Sequence, residues 1–217
     1  MAPAVHLRSV VALVGRFPVL AGVDLTVSAG EVVLLRGSNG AGKTSLLRLC
    51  AGLLPVAAGE ARVLGCDLVA DRREVRRRVG LLSPEGGLYD DLSVGENVRF
   101  AVRAAGLRAS AGDEAMERLG LTGRLRHLSA SRLSTGQRRR AALAVVIARA
   151  PELWLLDEPH AGLDESGRQL VDALMLEAVA GGATVVVASH EAGPVDGLPV
   201  RTVTVAGGRT AESAVVA

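Results

Sequence analysis

Apolar and polar positions alternate from Val5 to Val27, which predicts strands with a turn near Gly15 to Pro18. The next apolar run differs. Glu31-Val-Val-Leu-Leu-Arg36 is unbroken between its charged ends, the pattern of a buried strand. It runs into Gly37-Ser38-Asn39-Gly40-Ala41-Gly42-Lys43-Thr44, and Ser45 to Ala51 then reads as a helix, with Gly52 and Pro55 beyond its end. Residues 59–82 predict short strands around a charged helical piece. From Leu92 to about Ala150 the spacing is helical, with breaks at Gly106, Gly112 and Gly123. Strand patterns return at Leu153–Leu156 and Ala183–Ala188, with an amphipathic helix from Gly167 to Val179 between them. The succession is α/β, then α, then α/β. It predicts one domain over residues 1–217, with an α/β core from 1–82 and 151–217 and a helical lobe inserted at about 83–150.

Composition sharpens this in few places. Hydrophobic residues make up 49% of the chain but aromatics only 2%, so aliphatic side chains must fill the core. The formal net charge of +2 comes with no broad basic block, and no nucleic-acid partner is expected. The triplet Arg76-Arg77-Arg78 reads as a solvated helix face. Cys50 and Cys66 lack ligand-like spacing and His companions, which predicts ordinary reduced thiols. No run reaches the ~18 apolar residues of a membrane span. Arg8 and Arg16 interrupt the N-terminal apolar run, so no signal peptide is expected.

The segment Gly37-x-x-x-x-Gly42-Lys43-Thr44 fits the phosphate-binding loop in full, between a strand and a helix. Its glycines let the backbone N–H groups of residues 37–45 (Ser38, Asn39, Gly40, Ala41 and Ser45 included) close around phosphate oxygens. The helix start adds its positive dipole end. Lys43 suits the β- and γ-phosphates, and the Thr44 hydroxyl suits Mg²⁺. The chain has 25 basic residues, and Lys43 is its single lysine. Generic positive charge is carried by Arg throughout, and a compact ammonium on a flexible stem appears where a phosphate needs one. A second apolar strand, Leu153-Trp-Leu-Leu, ends in Asp157-Glu158-Pro159. The strand would bring Asp157 to the sheet edge beside the loop. There Asp157 can hold Mg²⁺ through water and Glu158 can polarise an attacking water.

Leu133-Ser134-Thr135-Gly136-Gln137 lies twenty residues before Asp157. A Ser hydroxyl and N–H groups at a helix start suit an anion, and also serve as a plain helix cap. The stretch resembles the Leu-Ser-Gly-Gly-Gln signature of ABC ATPases, with Thr135 at the third place. The resemblance continues in order through Ala161-Gly-Leu-Asp164, similar to the D-loop that bridges two subunits, and His190, similar to the switch histidine on the γ-phosphate. It covers nearly the whole chain. It implies a P-loop NTPase core of the ABC type with an inserted helical subdomain, and ATP and Mg²⁺ as ligands. It also implies a dimer in which Ser134 and Gly136 contact ATP held by the other subunit. A separate integral membrane subunit would be docked at Leu82 to about Arg103, with the chain peripheral on the cytoplasmic face of the membrane. Trp154-Leu-Leu-Asp-Glu-Pro and Ala-Gly-Leu-Asp further resemble the haem exporter ATP-binding subunits of cytochrome c maturation.

Two departures from the family pattern stand out. The aromatic that stacks on adenine is replaced by Val14, leaving Phe17 as the candidate. The Q-loop matches Leu82-Ser83-Pro84-Glu85-Gly86-Gly87 and carries no Gln, leaving Glu85 as a candidate that reaches the metal through water. Two other functional classes fit the sequence less well. A soluble ABC ATPase of DNA maintenance or translation would carry a coiled-coil insertion or a second cassette, and neither is present. A regulatory module that binds without hydrolysing is disfavoured by Glu158 and His190.

Overall fold

A computed structural model describes residues 2–84, 86–190 and 200–212. The alternating start of the chain forms a hairpin of β1 (Val5–Val14) and β2 (Phe17–Val27), closed where Val14 pairs with Phe17. After β3 (Val32–Arg36) and α1 (Lys43–Cys50) come β4 (Ala58–Val63) and β5 (Cys66–Asp67). These complete an antiparallel sheet in the order β2-β1-β4-β5. Then follow α2 (Arg72–Arg78), β6 (Val79–Leu82), α3 (Val94–Ala104), α4 (Ala109–Arg118) and α5 (Thr135–Ala148). The chain finishes with β7 (Leu153–Asp157), α6 (Glu165–Ala180), β8 (Thr184–Ala188), β9 (Val200–Ala206) and β10 (Arg209–Glu212).

The second sheet has the order β10-β9-β3-β8-β7-β6 and is parallel from β9 to β6, with β10 antiparallel on the edge. Its central strands are buried on both faces, and their residues sort by parity. Val33, Leu35, Leu153, Leu155, Val186 and Ala188 enter one core with α1 and the antiparallel sheet. Val32, Leu34, Trp154, Leu156, Val185 and Val187 enter a second core with α3 to α6. A strand that feeds two cores has no polar face to show, which explains the unbroken apolar runs.

The helical region is held by α5, which packs against α3, α4 and β6. Ala141, Ala142, Leu143, Ala144, Val146 and Ala148 are all buried, so the second half of this helix is apolar nearly all round, as an internal segment must be. Among the described residues no helix is long and apolar enough to cross a membrane.

Two strands have no counterpart in the sequence reading. Val200, Val203 and Val205 of β9 are buried beside β3, and β9 turns into β10 through Gly207-Gly208. The signal was a short alternation in Val200-Arg-Thr-Val-Thr-Val ahead of a Gly-Gly turn. The helix from Gly167 begins two residues earlier, at Glu165, because Asp164 caps it by accepting from Gly167 N–H at 2.9 Å.

Leu35 sits in β3 with no exposed surface, between the two sheets. Leu35→Ala should cost about 2–5 kcal/mol. Chemical unfolding would show this as a lowered midpoint at unchanged slope.

Candidate functional site

The parallel strands end together. Leu35 of β3 and Asp157 of β7 both pair with Ala188 of β8, so the segments that follow leave the sheet from one row. A cleft of about 580 Å³ opens there. Its walls are Ser38 to Ser45, Asp157, Glu158, Pro84, Pro18, Val19 and the Gly207-Gly208 turn.

The loop from Gly37 to Thr44 is built into this edge. Lys43 is buried, and its ammonium donates to the carbonyls of Gly37 at 2.6 Å and Ser38 at 3.3 Å. A Cβ on Gly37 would meet the Val205 carbonyl of β9 at 2.2 Å, so this position is glycine because another strand's backbone lies against it. Gly208 N–H donates to the Ala41 carbonyl and its own carbonyl accepts from Ala21 N–H, which ties the loop to β2.

Asp157 ends β7 with 3% of its surface exposed. Burial raises its pKa above the usual carboxylate value and the neighbouring Glu158 charge adds to the rise, while the Thr44 hydroxyl, Lys43 and Arg139 oppose it. Its Oδ2 is buried with no partner. A buried, unpaired carboxylate oxygen next to a threonine hydroxyl is a hard donor set that fits Mg²⁺, and Thr44 and Asp157 are the residues that would hold it.

Glu158 follows with φ +48, in the left-handed region. Its N–H donates to the Ala188 carbonyl. Its carboxylate is held from three sides: the Ser189 hydroxyl at 3.3 Å, His190 N–H at 3.1 Å and the His190 Nδ1 at 2.9 Å. Asp157, Glu158 and His190 therefore meet at the strand ends, beside residues 37–45.

Other expected residues stand apart. Ser134 caps α5 in a reciprocal box, accepting from Gln137 N–H while Gln137 Oε1 accepts from Ser134 N–H at 3.0 Å. None of Leu133, Ser134, Thr135, Gly136 and Gln137 lines the cleft. A Cβ on Gly136 would meet the Gly162 carbonyl at 2.9 Å, so the signature helix and the segment leading to Asp164 are packed backbone to backbone. Phe17 is 77% exposed at the hairpin end, while its neighbours Pro18 and Val19 line the cleft. Glu85 lies outside the described residues, and Pro84 before it is part of the wall.

A family model described as ABC transporter matches residues 20–161. A protein of Bordetella bronchiseptica named cytochrome c biogenesis ATP-binding export protein CcmA is 42% identical over 185 residues, spanning 83% of this chain and 81% of that protein. The chain belongs to the ABC transporter family. It is the ATP-binding and ATP-hydrolysing subunit of such a transporter. CcmA 2 of Cupriavidus metallidurans is 37% identical, over 89% of this chain and 92% of that protein. Among solved structures, a dimeric ATP-binding cassette in a post-hydrolysis state bound to ADP and Pi matches with a TM-score of 0.84 and 25% identity, over 96% of this chain and 98% of that one. A bacterial Atm1-family ABC exporter with ATP bound shares the fold, with a TM-score of 0.84 at 23% identity, over 97% of this chain and 38% of that one.

Sequence reasoning missed four parts of this ABC subunit's site: Pro18 and Val19, the Gly207-Gly208 turn, Ser189 and Arg139. The first two owe their place to sheet order. Ser189 could have been found, because it adjoins His190 at a strand end. Arg139 lay hidden in an arginine triplet.

The raised pKa of Asp157 carries a sign that can be tested. A carboxyl whose folded pKa exceeds its unfolded value costs stability once ionised, and the cost fades as pH falls below both values. Asp157→Asn removes that charge, keeps an acceptor for Thr44 and should raise the melting temperature of the nucleotide-free ABC subunit at pH 7 by about 2–4 °C. The gap from wild type should narrow in acid, and Mg²⁺-dependent ATP hydrolysis should be lost.

Proposed function

We propose that the chain works as a dimer on the cytoplasmic face of a membrane, hydrolysing ATP with Mg²⁺ to drive a separate membrane subunit that exports haem for cytochrome c biogenesis. The observation that carries the catalytic part is the grouping of Asp157, Glu158 and His190 at one strand edge, next to a complete phosphate loop. The residues of the loop, Gly37 to Ser45, bind the phosphates, with Lys43 turning from its carbonyl partners to the β- and γ-oxygens. Mg²⁺, when bound, neutralises charge on the β- and γ-phosphates, and Thr44 and Asp157 are the residues that would hold it. Glu158 orients a water and accepts its proton, while His190 fixes the carboxylate and meets the γ-phosphate. Pro18 and Val19 give one end of the cleft an apolar wall, and exposed Phe17, their neighbour in the chain, is the aromatic that would meet the base.

The dimer is supported by what one chain leaves incomplete. Ser134 and Gly136 present a helix start away from the cleft of their own chain, which suits the γ-phosphate of ATP on a second copy. The membrane subunit is supported by an aromatic pair. Two of the chain's four aromatics, Tyr89 and Phe100, pack edge to face at 5.3 Å with each about half exposed. Buried Asn97 fixes Tyr89 by bonding both its N–H and its carbonyl. Such a rigid exposed pair is the kind of anchor that interfaces use. The names of the CcmA relatives support export for cytochrome c biogenesis, and haem as cargo follows from the resemblance to haem exporter subunits.

Glu158→Gln tests the mechanism. ATP binding should persist, turnover should fall by about 10²–10⁴-fold, and an ATP-bound dimer should accumulate on gel filtration. Wild-type turnover in this variant contradicts Glu158 as the base. Pull-down of the tagged chain from its native membranes should recover a polytopic membrane protein.

A further inference from the structure

The middle residue of the triplet Arg138-Arg139-Arg140 behaves unlike its neighbours. Arg138 bonds the Ala130 carbonyl and pairs with Asp90 at 2.7 Å, and Arg140 bonds the Leu119 carbonyl. Both stay within the helical region. Arg139 points the other way and is 8% exposed. Its guanidinium donates to the Ser83 carbonyl at 3.0 Å and the Glu158 carbonyl at 2.8 Å. Burial pushes its pKa down, and the charges of Asp157 and Glu158 pull it back. A buried guanidinium whose direct bonds go to backbone carbonyls is a costly way to fill space. An aliphatic side chain would fill it with no desolvation penalty, so the two charge-assisted bonds call for a further reason.

Glu158 supplies one. A residue of this type at φ +48 is strained and persists where its surroundings over-determine it. Three backbone bonds do so: Glu158 N–H to Ala188, Ala161 N–H to the Glu158 carbonyl at 3.1 Å, and Arg139 to that same carbonyl. The first two come from the sheet and the local turn. The third comes from α5, the helix that begins at the signature. Its other arm grips Ser83, the first residue past β6 and the neighbour of Pro84 in the cleft wall.

We propose that Arg139 is a positioning residue for ATP hydrolysis: by holding the Ser83 and Glu158 carbonyls with one guanidinium, it sets the Glu158 carboxylate in place and ties it to the signature helix. A shift of α5 on dimer closure therefore reaches Glu158 through a single rigid group. The inference rests on Glu158 being the catalytic base.

A double-mutant cycle on the full-length chain tests it, with steady-state ATP hydrolysis and fluorescent-nucleotide binding as readouts. Arg139→Met keeps the stem and removes the donors. It should lower kcat by about 10–100-fold while KM and nucleotide affinity stay within about twofold. Arg139→Lys holds one carbonyl at a time and should recover part of the loss. In the Glu158→Gln background, Arg139→Met should lower the residual rate by less than about twofold, because its effect runs through the missing carboxylate. Losses that multiply in the double variant, or wild-type kcat in Arg139→Met, overturn the inference. If Arg139→Met fails to fold, the same cycle with Arg139→Lys decides it. Glu158→Gln at wild-type rate overturns the reading of Glu158 and this inference with it, and is seen separately in the single variant.

Discussion

Leu35, Ala188 and Asp157 stand in register across three parallel strands, and the chemistry of the molecule hangs from that row. The strands are buried on both faces, so their apolar side chains cannot slip by one residue without exchanging the two cores. Register is thereby fixed by packing. Once it is fixed, the next residues along each strand have no choice of neighbours: the phosphate loop follows β3, Glu158 follows β7, and Ser189 and His190 follow β8. The ladder extends one step beyond the strands, through Glu158 N–H to Ala188 and Ser189 N–H to Leu35.

At this edge several costs fall together that elsewhere in the fold occur singly, as at Ser9, Leu64 and Ala150, which share the left-handed backbone of Glu158. Asp157 keeps a buried oxygen without a partner, Glu158 takes a backbone conformation that disfavours it, and Arg139 is charged in a nearly dry setting. Each of these costs stability on its own. Together they place one hard oxygen, one fixed carboxylate and one brace between domain halves. Elsewhere the molecule is built of aliphatic cores and surface ion pairs such as that of Arg8 with Glu60.

The phosphate loop and the acidic pair were legible in the sequence because each is a local pattern at the end of a strand, whereas His190 stood out only through the family resemblance. The alternation between an α/β core and a helical insert was legible for the same reason, from the change of period at Leu92 and again at Leu153. What stayed hidden depends on strand order. Val200 to Ala206 is a short alternation, and only its place beside β3 reveals why Gly37 must lack a side chain. Arg139 was hidden for a different reason. Within the triplet Arg138-Arg139-Arg140 no sequence rule says which member turns inward. Its direction is set by the helix phase of α5, where position 139 shares the buried side with Ala142 and Leu143.

In the proposed mechanism one chain carries an incomplete site, finished by residues 133–137 of a second copy. Turnover per molecule, measured against protein concentration under saturating MgATP, tests this most directly, with oligomeric state followed in parallel by light scattering. Turnover per molecule should climb with concentration and level off where the dimer is full. Constant turnover per molecule, down to concentrations at which scattering shows monomer alone, contradicts it.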